Sequence, residues 1–176
     1  MTDGAVYVIT GASAAGKTTV GRLLAERFEH AVFLEGDAFR RAIVSGRREM
    51  TPDASREALA QLRLRHRIAG AGADAYVAEG FTVVVEDVIA GPLLSEFVEL
   101  IAGRPLHVAV LLPSIDALAA RDGGRSTSGY GDFSIEQLHA AFAEDTPRLG
   151  LWLDSSAQSP EQTVDEILAH PDRTLV

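Results

Sequence analysis

The sequence predicts an α/β fold built on a parallel sheet, and three observations carry that prediction. Short apolar runs alternate with helix-length segments along the chain, a pattern that implies parallel strands joined by right-handed crossovers. The first run, Ala5 to Thr10, is β-branched and aromatic without polar alternation, as expected of a strand covered on both faces. Polar clusters follow the first three strands, at 11–18, 35–41 and 86–91, where the carboxyl ends of such a sheet gather ligands.

The elements can be justified in order. After the first strand and a glycine-rich turn, Val20, Leu23, Leu24 and Phe28 recur at helical spacing. Ala31 to Glu35 is a second strand, and a helical stretch begins around Asp37. Pro52-Asp53 is expected to start a long helix that runs to about Glu79 and stops at Gly80. Phe81 to Glu86 is the third strand. Pro92 suits a first helical position, and Leu94, Phe97, Val98 and Ile101 form the apolar face behind it. Leu106 to Leu112 is the fourth strand, and Ser114 caps a helix ending near Arg121. Ser134-Ile135-Glu136-Gln137 and Ser159-Pro160-Glu161-Gln162 are capping boxes, each opening a helix. Between them Leu151 to Asp154 is the fifth strand, and the last helix ends near His170. No linker or repeat interrupts the 176 residues, so one domain over 1–176 is expected.

Composition narrows the chemistry. A formal net charge of −9 disfavours nonspecific binding to nucleic acid or to an anionic membrane. The absence of cysteine removes disulfides, thiolate metal sites and thiol nucleophiles. The N-terminal residues lack the basic region of a signal peptide, and no apolar run reaches membrane-spanning length. A cytoplasmic protein is the expectation. The sequence leaves monomer and homo-oligomer equally open.

Gly11-Ala12-Ser13-Ala14-Ala15-Gly16-Lys17-Thr18 matches G-x-x-x-x-G-K-[ST] in full, between a strand and an amphipathic helix. Glycine at 11 and 16 lets successive N–H groups turn toward phosphate oxygens, and the helix that follows adds its positive end. Ser13, Ala14 and Ala15 supply backbone to the same cradle. Lys17 is expected at the β- and γ-phosphates of ATP, the Thr18 hydroxyl on Mg2+, and Thr19 near the α-phosphate. Val83-Val84-Val85-Glu86-Asp87 ends an apolar strand in two carboxylates, the position of a magnesium-side acid in such proteins. Neighbours in a strand face opposite ways, so Glu86 and Asp87 differ in role, and the sequence leaves open which serves the metal.

Asp37, Phe39 and Arg40 follow the second strand on one turn of helix. Asp37 is placed to accept a proton from an acceptor hydroxyl, Arg40 to grip the acceptor, and Phe39 to line its pocket. Arg121 and Arg125 flank Asp122-Gly123-Gly124 in a glycine-rich stretch, about 121–133, that suits a lid closing over nucleotide, with Tyr130 and Phe133 packing on closure. Most of Arg56, Arg63, Arg65, His66 and Arg67 on the long helix read as a solvated face, with room for one or two to reach the substrate; His66, with no acidic partner nearby, suits the core or the surface rather than catalysis. Asp154-Ser155-Ser156 follows the fifth strand, where a loop can meet adenine.

Taken together, the loop at 11–18, Asp37-x-x-Arg40, the acids at 86–87 and Arg121-x-x-x-Arg125 resemble P-loop small-molecule kinases of the nucleotide-kinase-like group. The resemblance implies a three-layer P-loop NTPase with a five-stranded parallel sheet ordered 2-3-1-4-5 and an arginine-bearing lid. It assigns adenine stacking to Arg121 and phosphate contact to Arg125. Within the group, Val83 to Gly91 most resembles the chloramphenicol phosphotransferase-like family, which implies Asp37 as the base on a drug hydroxyl and Asp87 beside the acceptor. The segments expected after the third strand in adenylylsulfate kinases and shikimate kinases are absent here.

The expected function is therefore ATP-dependent transfer of the γ-phosphate to a hydroxyl of a small molecule, with antibiotics or related natural products in view. A nucleotide, nucleoside or adenylylsulfate-type kinase is the first alternative. A nucleotide-dependent switch or hydrolase is the second, though no guanine-reading Asn-Lys-x-Asp segment occurs.

Overall fold

The computed structural model describes residues 4–124 and 131–176. Its sheet has five strands in the order β2-β3-β1-β4-β5, all paired in parallel. They are β1 (Val6–Gly11), β2 (Ala31–Glu35), β3 (Thr82–Glu86), β4 (Leu106–Leu111) and β5 (Leu151–Leu153). The helices are α1 (Lys17–Ala25), α2 (Gly36–Arg41), α3 (Arg56–Ala78), α4 (Leu93–Leu100), α5 (Ile115–Gly123), α6 (Ile135–Ala140), α7 (Pro160–Ala169) and α8 (Pro171–Thr174), with a π-helical turn at Ala141–Asp145 after α6.

The strand pleat sets two covered faces. Gly21 of α1 lies against Phe33 and Val84, while Gly103 lies against both Val77 of α3 and Val6, the register partner of Val83. Residues 83 and 84 point to opposite faces of the sheet, so α1 and α3 cover opposite sides. The core runs through both interfaces, with Leu24, Ile89, Leu94 and Phe97 fully buried. β1, β3 and β4 are apolar runs buried on both faces. β2 stands at the edge, and every one of its residues is only half-buried.

Several boundaries differ from expectation for local reasons. α3 begins at Arg56, because the Ser55 side chain accepts the N–H of Ala58 and caps it; Pro52-Asp53 belongs to the preceding turn. Pro92 is the N-cap residue of α4 and not its first turn. α5 runs two residues past Arg121, to Gly123. A further helical turn, α8, follows α7, and its Thr174 hydroxyl meets His107 Nδ1 at 2.8 Å. Both capping boxes, at Ser134 and Ser159, form as expected.

Candidate active site

A cleft of about 1130 Å³ opens at the carboxyl ends of β1, β2 and β3. Its phosphate end is the loop between β1 and α1. Gly11, Ala14 and Gly16 have φ of 147°, 61° and 94°, and a Cβ on Gly11 would lie 2.1 Å from the Leu111 carbonyl oxygen. Only glycine fits there. Gly16, in a left-handed conformation, is the N-cap of α1, and the positive end of that helix faces the loop and favours an anion. The buried Lys17 Nζ donates to the Ala12 carbonyl at 2.9 Å and lies 3.9 Å from Glu86 Oε1. The Thr18 hydroxyl donates to Glu86 Oε2 at 3.3 Å.

Glu86 is held among charges. Burial pushes its carboxyl up from the usual range, and Lys17 only partly offsets this. Thr18 and Glu86 together present two hard oxygen donors beside the phosphate loop, a set that fits Mg2+ sharing its shell with phosphate and water. Among the described residues no group of three or more His, Asp or Glu gathers as a self-sufficient metal cage. Asp87 does not join Glu86 at Thr18. Its Oδ1 accepts from Arg65 Nη2 at 2.8 Å and from the Val88 N–H at 2.7 Å.

The acceptor end is built from α2, α3 and the segment after β3. Asp37 in the first turn of α2 accepts from Arg40 Nε at 3.1 Å and lies 3.7 Å from Arg65 Nη1. Burial works to raise the Asp37 pKa, but the hydrogen bond and charge of Arg40, then Arg65 and Arg41, outweigh it and hold the carboxyl below the usual range. Asp37 is therefore ionised at neutral pH. Arg40 also forks onto Glu49, with Nη1 at 2.8 and 2.7 Å from its two oxygens. Phe39 lines the cleft beside them.

Arg65 is the long-helix cation that reaches the site, a choice the sequence left open among Arg56, Arg63, Arg65 and Arg67. Its side chain is 12% exposed, and it joins Asp37 to Asp87. Burial pushes the Asp87 carboxyl up to about 6 against the pull of Arg65. His66 Nε2 lies 3.8 Å from Asp87 Oδ2. Burial first, then Arg65, drives the His66 pKa down to about 4, so the ring is neutral and this contact is not an ion pair at neutral pH. That same oxygen sits close to Gly36: a Cβ there would lie 2.2 Å from Asp87 Oδ2.

The other predicted residues fall as follows. Ser13, Ala14, Gly16, Lys17 and Thr18 line the cleft. Thr19 is exposed on the first turn of α1 and does not line it. Ala15 is buried, and its carbonyl accepts from Arg121 Nη1 at 3.4 Å. Arg121 Nη2 also donates to the Ser155 carbonyl at 2.7 Å, so it ties the phosphate loop to the segment after β5. Arg125 and Tyr130 lie outside the described residues. Phe133 lines the cleft. Thr146, which sequence reasoning missed, donates to the Ala141 carbonyl at 2.8 Å and accepts the Gly91 N–H at 2.7 Å, fixing the π-helical turn to the cleft floor. Among the described residues no helix is long and apolar enough to cross a membrane.

Comparison with known proteins bears on the family and the fold. Residues 6–144 match the family described as AAA domain. No curated protein matches the sequence. Among solved structures, an unliganded sugar kinase from Janibacter sp. HTCC2649 is 19% identical, with 97% of this chain and 95% of that one covered and a TM-score of 0.71. APS kinase of Mycobacterium tuberculosis, solved with AMPPNP and APS, is 15% identical over 98% of this chain and 99% of that one, with a TM-score of 0.68. A tunicamycin resistance protein of Deinococcus radiodurans is 16% identical over 98% of each chain, with a TM-score of 0.65. At these identities the likeness is one of fold.

Proposed function

The chain belongs to the AAA domain family, and from that premise we propose that it is an ATP-dependent phosphotransferase acting on a hydroxyl of a small molecule. One observation carries the proposal: a single cleft holds Lys17 and Thr18 at one end and the ionised Asp37 at the other. A switch or hydrolase has no need of a further end to that cleft with its own carboxylate.

The roles follow from the chemistry of each side chain. Lys17 and the N–H groups at the start of α1 would hold the β- and γ-phosphates and offset charge on the group in transfer. Thr18 and Glu86 would hold Mg2+, which supplies charge neutralisation between the phosphates when bound. Asp37 would orient the acceptor hydroxyl and take its proton as the oxygen bonds to the γ-phosphorus and the bond to the ADP oxygen breaks. Its depressed pKa suits orientation more than strong basicity. That is sufficient where the transition state is loose and the acceptor oxygen loses its proton late. Arg121 would flank the adenine from its position between Ala15 and Ser155, and Arg125 would contact phosphate. Hydroxylated antibiotics or related natural products are the acceptors to try first. Both the likeness of Val83 to Gly91 to chloramphenicol phosphotransferase-like enzymes and the shared fold with a tunicamycin resistance protein support that choice.

The test is incubation of the purified chain with ATP, Mg2+ and a panel of hydroxylated small molecules, read by the mass gain of one phosphate. Asp37→Asn is expected to keep nucleotide affinity and lose about 100-fold or more in kcat. Unchanged transfer by that variant would remove Asp37 from the mechanism.

A further inference from the structure

The acceptor end of the cleft is apolar on its walls and already charge-paired at its polar positions. Ile43, Met50, Leu64, Ile68, Leu93 and Phe39 line it. Leu64 and Ile68 are 41% and 44% exposed, one helical turn apart on α3, and both face this cleft. Exposed large apolar side chains that converge on one cavity mark a surface awaiting an apolar ligand. The loop between α2 and α3 is tied down to complete the wall. Gln61 accepts the Arg48 N–H at 2.8 Å and donates to the Gly46 carbonyl at 2.8 Å.

The guanidinium groups at this end are each engaged by carboxylates. Arg40 is held by Asp37 and Glu49, Arg65 by Asp87 and Asp37, and Arg48 by Glu57. Glu35, which accepts from Arg41 at 3.3 Å, and Asp132 line the same cleft, and Asp132 adds negative charge. An anionic acceptor would have to displace one of those carboxylates and leave it unpaired, or sit in a field of its own sign. Both act as discrimination against the wrong ligand.

We infer that the acceptor is a hydroxyl compound with no anionic group, neutral or amine-bearing, whose apolar body packs against Leu64, Ile68 and Met50. The inference rests on the proposed phosphotransfer and narrows its substrate class. Sugar acids, sugar phosphates, nucleoside monophosphates and adenylylsulfate are thereby disfavoured as acceptors.

The test uses one aromatic diol skeleton in three forms, carrying at its far end a neutral group, an amine or a carboxylate. For each, kcat/KM is measured with the full chain, ATP and Mg2+. The neutral and amine forms are expected to exceed the carboxylate form by about tenfold or more. Glu49→Gln, which removes one of the two carboxylates on Arg40, is expected to narrow that ratio. A carboxylate form that is phosphorylated as well as the others overturns the inference and leaves the phosphotransfer proposal standing. Should no form be phosphorylated, the phosphotransfer proposal fails on this skeleton. Thermal shift with the same three compounds and AMPPNP then decides the inference. Stabilisation by the neutral and amine forms alone supports it; stabilisation by the carboxylate form, or by none, overturns it.

Discussion

Arg65 lies between two carboxylates from different elements, 2.8 Å from Asp87 at the end of β3 and 3.7 Å from Asp37 on α2. It joins the proposed proton acceptor to the acid behind it. Arg65→Met would leave Asp87 buried without its cation, a change expected to cost on the order of 3 kcal/mol in stability. Arg65→Lys keeps the charge but cannot fork. It is expected to fold, to raise KM for the acceptor, and to leave KM for ATP unaltered. Equal changes in both constants would show that Arg65 acts only on the fold.

Lys17 and Glu86 face each other across the start of α1. Lys17→Ala is expected to abolish transfer, by about 100-fold or more in kcat. Glu86→Gln keeps the hydrogen-bonding shape and loses the charge. It is expected to shift the Mg2+ concentration for half-maximal rate upward with little change in thermal stability, since burial already disfavours that charge. An unaltered Mg2+ dependence would take Glu86 out of the metal site.

His66 gives the fold an acid-sensitive contact. Its pKa is depressed to about 4 from 6.5. Its stabilising contribution is therefore present above 6.5 and lost as pH falls from 6.5 toward 4, reaching on the order of 3 kcal/mol. Asp87 runs the other way. With a pKa raised from 3.8 to about 6, its contribution is present below 3.8 and lost as pH rises through 6. His66→Phe is expected to flatten the fall of melting temperature between pH 6.5 and 4. A parallel curve for variant and parent would contradict the buried neutral ring.

How much of this site was legible depended on whether its chemistry lies within a few residues. The phosphate loop, Asp37 and Glu86 sit at strand ends that composition and spacing mark. Arg65 was not legible, because α3 carries Arg56, Arg63, Arg65, His66 and Arg67, and the choice among them is set by the rotation of the helix on the sheet. A signal for His66 existed: Leu62, His66, Ala69 and Ala73 are all buried, and that 4-3-4 spacing makes one helical face. Reading His66 as part of the apolar stripe would have fixed the rotation and brought Ala58, Gln61, Arg65 and Ile68 to the cleft. The start of α3 was misjudged because proline at a first turn and serine at a cap are rival signals three residues apart. The edge position of β2 follows from sheet order, which pattern alone does not give; the order came from the family resemblance.

Thr146 joins the π-helical turn to Gly91 through two hydrogen bonds. Thr146→Val preserves shape and strands the Gly91 N–H, at an expected cost of about 1–3 kcal/mol. Denaturant unfolding of parent and variant measures it. A loss confined to acceptor KM without change in stability would indicate that the cleft floor adjusts on its own.

Gly36 and Asp87 meet with no room for a methyl group between them. The two positions cannot be varied one at a time. A library that randomises positions 36 and 87 together is expected to return non-glycine residues at 36 only with a shorter residue at 87. Any redesign of acceptor preference through α2 therefore has to begin at the end of β3, thirty-odd residues beyond the end of the loop that follows α2.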